Sequence, residues 1–384
     1  MSSHERTTMS QKKIRIGVVF GGRSGEHEVS LASACAVIDN LDPNKYEIVP
    51  IGITKSGQWL LGCEPAKLIA AGQGVELDNQ QNQHTSVVAI TGDPTVRRLI
   101  PLQPDEQLGE NDALDVIFPV MHGTYGEDGT MQGLLEMANI AYVGNGVLGA
   151  ALGMDKEKMK MVFASANLPN VKYLVYRRSQ WDRDPDAISA AIEEQIGYPN
   201  FVKPVNLGSS VGINKAHDRE ELRHAMNVAA EFDRKIIIEQ GINCREFECA
   251  VLGNDEPIAS VVGEVVAGNE FYDYDSKYAA NSTSETIIPA HIPQEASELI
   301  RRYAIQAFQA LDLNGLARID FFIDKDSNQI YINEVNTMPG FTPISMYPKL
   351  WAASGIPYNE LLDRLIELGI ARYEDRQRNR TTFQ

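Results

Sequence analysis

The sequence predicts a mixed α/β fold whose N-terminal part is built on a parallel sheet, and two observations support this. Ile14–Phe20 is an apolar run interrupted only by Arg15, and such a run is typical of a parallel strand buried on both faces. Strand-like and helix-like stretches then alternate along the chain, beginning with a glycine-rich break at residues 21–25 and a helix predicted over Val29–Asn40. Such alternation is typical of α/β domains.

The chain divides into a short lead-in and three consecutive segments. Residues 1–13 are polar and are predicted to be a disordered tail. We expect an N-terminal α/β domain over residues 14–144, a central domain over 145–241 and a C-terminal domain over 242–384. Within the first of these, residues 62–111 are polar and glutamine-rich, so we expect short hairpins and loops there.

Apolar runs and helical periodicity place the remaining elements. Further strands are predicted at Tyr46–Ile53, Asp115–Val120, Tyr142–Val143, Lys172–Tyr176, Phe201–Lys203, Lys235–Gln240, Glu246–Leu252, Ile258–Gly263, Leu316–Ile323 and Gln329–Val335. Further helices are predicted at Thr130–Ala138, Lys156–Ala166, Ala187–Ile196, Arg219–Phe232, Glu295–Leu311 and Tyr358–Ala371.

Composition narrows the classes of function. The 384 residues include 35 Lys+Arg and 52 Asp+Glu, which gives a formal net charge of −17. This charge argues against a protein that coats duplex DNA, but it is compatible with a small anionic ligand in a local basic pocket. The four cysteines include no C-x-x-C pair, and Met1–Lys13 holds no apolar signal-peptide core. We therefore expect reduced thiols and a cytosolic location.

A glycine motif at Gly144–Gly149 matches G-x-G-x-x-G without the context of a dinucleotide site. Such a site needs an acidic residue about 20 positions further on, at the end of a second strand. Ala164 stands at that distance, inside a predicted helix. A dinucleotide-dependent oxidoreductase is therefore a distant alternative.

A stronger motif begins at Lys203, which ends a predicted strand and precedes the small-residue loop Pro204–Gly212. Backbone N–H groups of such a loop can hold phosphate oxygens while the lysine supplies charge. An ordinary β-turn is the alternative interpretation of this stretch alone.

Two predicted strands carry charged residues with a period of two. Arg318 and Asp320 therefore share one face, as do Glu334 and Asn336. Oxygen ligands of this kind suit Mg²⁺, which is usually held by one or two carboxylates plus substrate phosphates. A solvated strand face is the alternative, although the apolar neighbours of these charges argue against it. The tight loop Thr337–Thr342 follows directly, and its N–H groups could face an oxyanion.

Taken together and in order, the motifs resemble those of the D-alanine:D-alanine ligases of the ATP-grasp superfamily. The resemblance extends from about residue 14 to 372 and rests on Gly21–Ser30, Met121–Thr130, Met154–Lys156, Lys203–Gly212, Phe271–Tyr278, Arg318–Asp320, Asn333–Gly340 and Ser345–Pro348.

The resemblance implies a three-domain ATP-grasp architecture with a Rossmann-like N-terminal domain. It also implies ATP-dependent ligation of two D-alanine molecules to D-alanyl-D-alanine for peptidoglycan precursor synthesis. ATP would phosphorylate the first carboxylate, and the second amine would attack the D-alanyl phosphate. The resemblance further implies two bound Mg²⁺ (or Mn²⁺) ions and a homodimer. It implies no nucleic-acid partner and no membrane partner.

The resemblance also implies roles for individual residues. The ATP site would comprise Lys156, Lys203, Ser209, Ser210, Glu239, Glu246 and Lys277, with the lysines at the phosphates and the glutamates at adenine and ribose. The metal ligands would be Asp320, Glu334 and Asn336. Gln240 and Gly241 stand where the family often has a lysine and an aromatic residue.

For the amino acid substrates, the resemblance assigns binding or catalytic roles to Glu26, His122, Ser209, Tyr278, Arg318, Gly340, Ser345 and Met346. Glu26 would bind the ammonium of the first D-alanine and would be linked to Ser209 and Tyr278 by hydrogen bonds. Arg318 and the Gly340 N–H would stabilise the oxyanion. Ser345 and Met346 would receive the second carboxylate, and His122 would lie near the first substrate, with a buried core histidine as the alternative interpretation.

Two alternatives remain beside the oxidoreductase. A D-alanine:D-lactate ligase has the same fold, but the Lys277-Tyr278 pair favours D-alanine as the nucleophile. A catalytically silent binding module is the other alternative, against which the intact charged residues argue. The stretch Val266–Glu285, rich in small polar residues, is expected to close over the nucleotide and exclude water.

Overall fold

The structure, a computed structural model, describes residues 12–70, 86–103, 113–208, 211–266 and 285–380. These residues form three β-sheets with helices packed on them, so the predicted mixed α/β class is confirmed. No helix within these ranges is long and apolar enough to cross a membrane.

The N-terminal sheet has seven strands in the order β5-β4-β3-β2-β1-β6-β7. Strands β2, β1, β6 and β7 are parallel, as predicted, whereas β3 to β5 add an antiparallel extension at one edge. The polar insertion thus contributes strands to this sheet. The strands are β1 Ile14–Gly21, β2 Tyr46–Ile53, β3 Trp59–Leu61, β4 Ser86–Ala89, β5 Ile100–Pro101, β6 Val116–Val120 and β7 Ala141–Tyr142, and the helices are α1 His27–Asn40, α2 Pro65–Ala70 and α3 Thr130–Met137.

Helix α1 is tied to the carboxyl ends of two neighbouring strands. The Ser30 hydroxyl accepts a hydrogen bond from the Gly21 N–H at 2.7 Å and donates one to the Val120 carbonyl. Gly21 has φ = +87°, and a Cβ there would lie 2.3 Å from the Ile53 carbonyl oxygen. Only glycine fits this turn, which brings the start of α1 to the strand ends where ligands bind in open α/β sheets.

The central sheet is a four-stranded antiparallel unit with its own core. Its strand order is β10-β9-β11-β8, and the apolar faces of two helices cover it around Ile192 and Leu222. Asp184 and Asp218 cap these helices by accepting backbone N–H bonds. The elements are β8 Tyr173–Arg177, β9 Asn200–Pro204, β10 Asn214–Ala216 and β11 Lys235–Gln240, with α6 Arg178–Trp181, α7 Pro185–Gln195 and α8 Arg219–Phe232.

The C-terminal sheet is antiparallel, in the order β14-β13-β12-β15-β16. Phe247, Ile319 and Phe321 on one face pack with Phe308 of the long helix α9. Residues of the opposite face, such as Leu316, join the N-terminal core. The elements are β12 Cys244–Gly253, β13 Ile258–Val266, β14 Glu285–Ile287, β15 Gly315–Asp324 and β16 Ile330–Asn336, with α9 Gln294–Ala310, α10 Met346–Ala353 and α11 Tyr358–Gln377.

Two consecutive helices, α4 Val147–Met154 and α5 Lys156–Ser165, follow the N-terminal sheet. The sequence does not predict α4, since its glycines mimic a dinucleotide motif. The structure instead uses them for close backbone packing: a Cβ at Gly149 would lie 2.8 Å from the Asp312 carbonyl oxygen. The motif begins a packed helix, which removes the basis of the oxidoreductase alternative.

Asn145 links the start of α4 to the C-terminal sheet. Its amide group donates to the carbonyls of Leu316 at 2.9 Å and Thr337 at 2.8 Å, and it accepts from the Asn314 N–H at 2.9 Å. The side chain is only 3% exposed. One buried amide therefore satisfies three backbone groups.

Replacing Asn145 by Ala should lower the free energy of unfolding by about 2–4 kcal/mol, because it leaves buried backbone groups without partners. Urea unfolding followed by tryptophan fluorescence measures this change. Asn44→Ala is the matched control, since Asn44 is exposed and its replacement should leave the unfolding midpoint unchanged. Equal midpoints for Asn145→Ala and the wild type would show that this link does not stabilise the fold.

Candidate active site

A cleft of about 700 Å³ lies where α1, the ends of the N-terminal strands and the C-terminal sheet meet. Ten of the residues predicted from the sequence line it: Glu26, His122, Glu246, Arg318, Asp320, Glu334, Asn336, Gly340, Ser345 and Met346. Ser209, Ser210, Lys277 and Tyr278, as well as almost all of the expected closing loop, lie outside the described residues.

The strand register places charged side chains in rows across the C-terminal sheet. Glu248 of β12 pairs with Asp320 of β15, which pairs with Glu334 of β16. In the adjacent row, Arg318 pairs with Asn336. Residues opposite each other on neighbouring strands point to the same face. The pairing of β15 with β16 therefore brings Arg318 and Asp320 together with Glu334 and Asn336 on one face of the sheet.

Arg318 holds the centre of this charged face. Its Nε and Nη2 donate to the two carboxylate oxygens of Asp320, each at 2.7 Å, and Nε also lies 2.9 Å from a Glu248 oxygen. Asn336 donates its amide to Asp320 at 2.9 Å. Burial alone would lower the pKa of Arg318, but Asp320 and Glu248 raise it well above its usual value. The guanidinium is therefore a permanent cation in the wall of the cleft.

Glu248 was missed in the sequence, although a signal was available. It follows Glu246 by two residues on the same strand, so both carboxylates face the cleft. The sequence does not reveal that β12 pairs with β15, and this pairing is what places Glu248 against Arg318.

The predicted metal ligands fit a hard divalent cation by their chemistry. Asp320 and Glu334 offer carboxylate oxygens, and Asn336 offers an amide oxygen, on adjacent strands. Two carboxylates with room for substrate phosphates are what Mg²⁺ prefers. In the part of the chain that the structure describes, no larger group of His, Cys, Asp or Glu side chains gathers as a metal site.

A second charged group lies where the central sheet meets α5. Glu239 is 3% exposed, and its oxygens lie 3.0 Å from Lys160 Nζ and 2.6 Å from Lys203 Nζ. Burial would raise the pKa of Glu239, but the two lysines lower it to about 2. Lys160 was not among the predicted residues. It also donates to the Asn333 carbonyl at 3.2 Å, beside Glu334.

Lys156 connects the small-residue loop after Lys203 to strand β16. Its Nζ donates to the Leu207 carbonyl at 2.8 Å and lies 3.6 Å from a Glu334 oxygen. Helix α5 begins at Lys156, and the Asp155 side chain caps it by accepting the Lys158 N–H at 3.1 Å. The cap fixes the first turn of α5 and with it the position of Lys156 near Glu334.

Glu26 stands at the N-terminus of α1, enclosed by two glycines. A Cβ on Gly123 would lie 2.4 Å from a Glu26 carboxylate oxygen, and one on Gly208 would lie 3.1 Å from the same oxygen. The Ser24 hydroxyl accepts the Glu26 N–H at 3.0 Å. The carboxylate therefore occupies a space that only glycine backbones leave open.

Glu127 is another residue in the cleft wall that the sequence did not single out, although it lies within the quoted stretch Met121–Thr130. Its two oxygens accept the Gly123 N–H at 2.7 Å and the Met338 N–H at 2.8 Å. Burial and the neighbouring Glu26 raise the pKa of Glu127 to about 8, despite these two hydrogen bonds.

Gly340 and Ser345 stand on either side of the turn that leads into α10. The Ser345 hydroxyl is bonded to the Thr342 N–H at 3.1 Å and to the Thr342 hydroxyl at 2.8 Å, and a Cβ on Gly340 would lie 2.8 Å from it. Ser345 is the residue before the first helical residue, Met346. First-turn N–H groups have no partner within a helix, so this end can receive an anion.

Comparison with known proteins agrees with this arrangement. The family model for the D-ala D-ala ligase N-terminus matches residues 15–145, and the model for the D-ala D-ala ligase C-terminus matches residues 162–367. A D-alanine--D-alanine ligase of Ruminiclostridium cellulolyticum is 52% identical over 381 residues, covering 97% of this chain and 99% of the relative.

Solved structures give the same result. The D-alanine-D-alanine ligase from Coxiella burnetii superposes with a TM-score of 0.81 at 34% identity, covering 96% of this chain and 97% of its own. The VanG D-Ala:D-Ser ligase from Enterococcus faecalis superposes with a TM-score of 0.81 at 37% identity, covering 93% of this chain and 100% of its own. The predicted ATP-grasp architecture is thereby confirmed, and the chain belongs to the D-alanine–D-alanine ligase family.

Proposed function

We propose that the protein joins two D-alanine molecules to D-alanyl-D-alanine at the expense of ATP, through a D-alanyl phosphate, in peptidoglycan precursor synthesis. The observation that carries this proposal is one cleft lined both by Glu26, a carboxylate for an ammonium group, and by the charged face of Arg318, Asp320 and Glu334. The names of the full-length relatives support the same reaction.

The nucleotide belongs at the end of the cleft where the lysines converge. Lys156 and Lys203 would neutralise the ATP phosphates, because phosphoryl transfer needs mainly positioning and charge compensation. Lys203 is bound to Glu239 at 2.6 Å, so contact with a phosphate requires its ammonium to share or leave this partner. Glu239 and Glu246 are assigned to adenine and ribose, and Ser209, Ser210 and Lys277 to the phosphates.

Two Mg²⁺ ions are proposed to be held by Asp320, Glu334 and Asn336 together with the phosphates. When bound, such ions neutralise charge on the transferred phosphoryl group. In the described structure Arg318 compensates Asp320, and Lys156 lies near Glu334. The carboxylates are therefore already arranged for cations, which reduces the reorganisation that metal binding needs.

The acyl transfer uses groups at the other end of the cleft. A carboxylate is a poor acyl donor, and phosphorylation turns it into a mixed anhydride that an amine can attack. Glu26 would hold the ammonium of the first D-alanine. Arg318 and the Gly340 N–H would stabilise the oxyanion that forms at the attacked carbonyl. The N-terminal end of α10 at Ser345 and Met346 would receive the carboxylate of the second D-alanine.

The choice of the second substrate defines the competing functions. Tyr278, with Ser209, is expected to favour an amine nucleophile, and both residues lie outside the described ranges. The VanG structure with a TM-score of 0.81 is named a D-Ala:D-Ser ligase, which makes D-serine a second candidate nucleophile. A homodimer and a cytosolic location stay predictions, and sedimentation velocity would measure the first.

The proposed substrates can be tested by offering D-alanine, L-alanine, D-serine and D-lactate to the purified protein, singly and in pairs with D-alanine. We expect ADP release that depends on D-alanine and a main product with the mass of D-alanyl-D-alanine at pH 7. A main product of D-alanyl-D-serine or D-alanyl-D-lactate mass would reassign the nucleophile. ADP release that is indifferent to D-alanine would overturn the function.

Glu334→Gln should leave the fold intact and reduce turnover at least 100-fold, because one charge is lost from the site that neutralises polyphosphate. A 100-fold loss corresponds to about 2.7 kcal/mol of barrier. ADP release is measured over a range of Mg²⁺ concentrations.

The matched control for this variant is Glu360→Gln. Glu360 is a surface residue paired with Arg364 on α11 at 2.6 Å, so its replacement should keep wild-type turnover. Wild-type turnover of Glu334→Gln at saturating Mg²⁺ would remove Glu334 from the metal site.

A further inference from the structure

We propose that Ser33 and His122 are positioning residues that orient the Gly340 peptide. They do so through a closed ring of hydrogen bonds that runs from the Met338 carbonyl, through both side chains, to the Phe341 N–H. This inference deepens the proposed function, because it assigns the two side chains to the group expected to meet the oxyanion.

Three distances define the ring. His122 Nδ1 lies 2.9 Å from the Met338 carbonyl oxygen, and His122 Nε2 lies 3.0 Å from Ser33 Oγ. The Phe341 N–H donates to Ser33 Oγ at 3.2 Å. Ser33 belongs to α1 and is 0% exposed, and His122 follows β6 and is 4% exposed. Two side chains of the N-terminal region therefore bind both ends of a C-terminal loop.

Chemistry fixes the direction of each bond in the ring. A carbonyl oxygen only accepts, so Nδ1 of His122 carries the proton and donates to Met338. In a neutral imidazole Nε2 then accepts, so the Ser33 hydroxyl donates to it and receives the Phe341 N–H. Burial lowers the pKa of His122, outweighing the opposite influence of Glu26, which favours this neutral tautomer.

The loop is also held from outside the ring. The Met338 N–H donates to Glu127 at 2.8 Å, and the Tyr358 hydroxyl donates to the Phe341 carbonyl at 2.6 Å. The backbone N–H and the carbonyl of Met338 are thus both hydrogen-bonded, and so are those of Phe341. Only Pro339, which has no N–H, and Gly340 stand between these fixed points, so the direction of the Gly340 N–H is set by its neighbours.

This geometry changes the role of His122 from that implied by the resemblance. Both of its ring nitrogens already have protein partners, so it acts on the reaction through the loop. The reason for positioning is that an oxyanion donor must be aimed at its target before charge develops. Loss of the ring should therefore reduce turnover without weakening nucleotide binding.

The test compares Ser33→Ala with Ser189→Ala, an identical change at another buried helical serine. Ser189 is 0% exposed and bonds to the Pro185 carbonyl of its own helix α7. We expect Ser33→Ala to lower kcat by about 10- to 50-fold, since removing an oxyanion donor outright costs about 100- to 1,000-fold. The KM for ATP should stay within about twofold of the wild type for both variants.

Amide hydrogen exchange across residues 338–346 gives a second readout that does not depend on activity. Exchange should be faster in Ser33→Ala than in the wild type, because the Phe341 N–H loses its acceptor. It should be unchanged in Ser189→Ala. Unchanged exchange in Ser33→Ala would overturn the ring, and faster exchange with wild-type kcat would overturn its role in positioning.

A second variant separates positioning from direct substrate contact. His122→Asn can keep a donor for the Met338 carbonyl but cannot also reach Ser33, so it should lower kcat and speed exchange as Ser33→Ala does. A raised KM for D-alanine with unchanged exchange would show that His122 binds substrate and would overturn the inference. If the wild type releases no ADP with D-alanine, the proposed function fails, and exchange in the two variants still decides whether the ring exists.

Discussion

The need to compensate charges that are buried together governs this structure. Arg318 pairs with Asp320 of its own strand β15 and with Glu248 of the neighbouring strand β12, and Glu239 lies between Lys160 and Lys203. An isolated charge in such surroundings would cost several kcal/mol or would lose its ionisation. Arg318 and Glu239 each have at least one partner on a different element, so these groups of charges are complete only when the sheets and helices are assembled.

The same compensation explains why the cleft suits an ATP-dependent ligase. The carboxylates proposed to hold metal ions already lie within ion-pair distance of Lys156 and Arg318. In the proposed function, binding ATP with metal ions would replace one set of ion pairs by another, which costs less than charging an apolar pocket. The proposed function places the phosphates at one end of this charged cleft and the oxyanion at the other.

The parts of the fold that local pattern determines could be predicted from the sequence. The strand Tyr46–Ile53 and the amphipathic helix Arg219–Phe232 have the same bounds in the structure as in the prediction. Helix α10 was missed because Pro348 interrupts its pattern, yet proline is tolerated in a first turn, where N–H groups have no acceptor. Helix α4 was missed because its small residues have weak helical periodicity and depend on tertiary packing.

The candidate site also has a part that the sequence could predict and a part that depends on tertiary structure. Period-two spacing placed Arg318 with Asp320, and Glu334 with Asn336, on common faces. It could not show Glu248, since the pairing of β12 with β15 joins residues far apart in the chain. Ser33 is equally invisible, because a serine within a helix carries no signal until the loop it binds is in place.

The most direct test of an acyl phosphate in this cleft follows the oxygen atoms. D-alanine labelled with ¹⁸O in both carboxylate positions is turned over with unlabelled ATP, and the released phosphate is analysed by mass spectrometry. A carboxylate oxygen that attacks the γ-phosphorus leaves with the phosphate when the amine displaces it. The structure therefore predicts one ¹⁸O in each phosphate for each dipeptide formed. Unlabelled phosphate accompanying dipeptide formation would contradict carboxylate activation by phosphorylation.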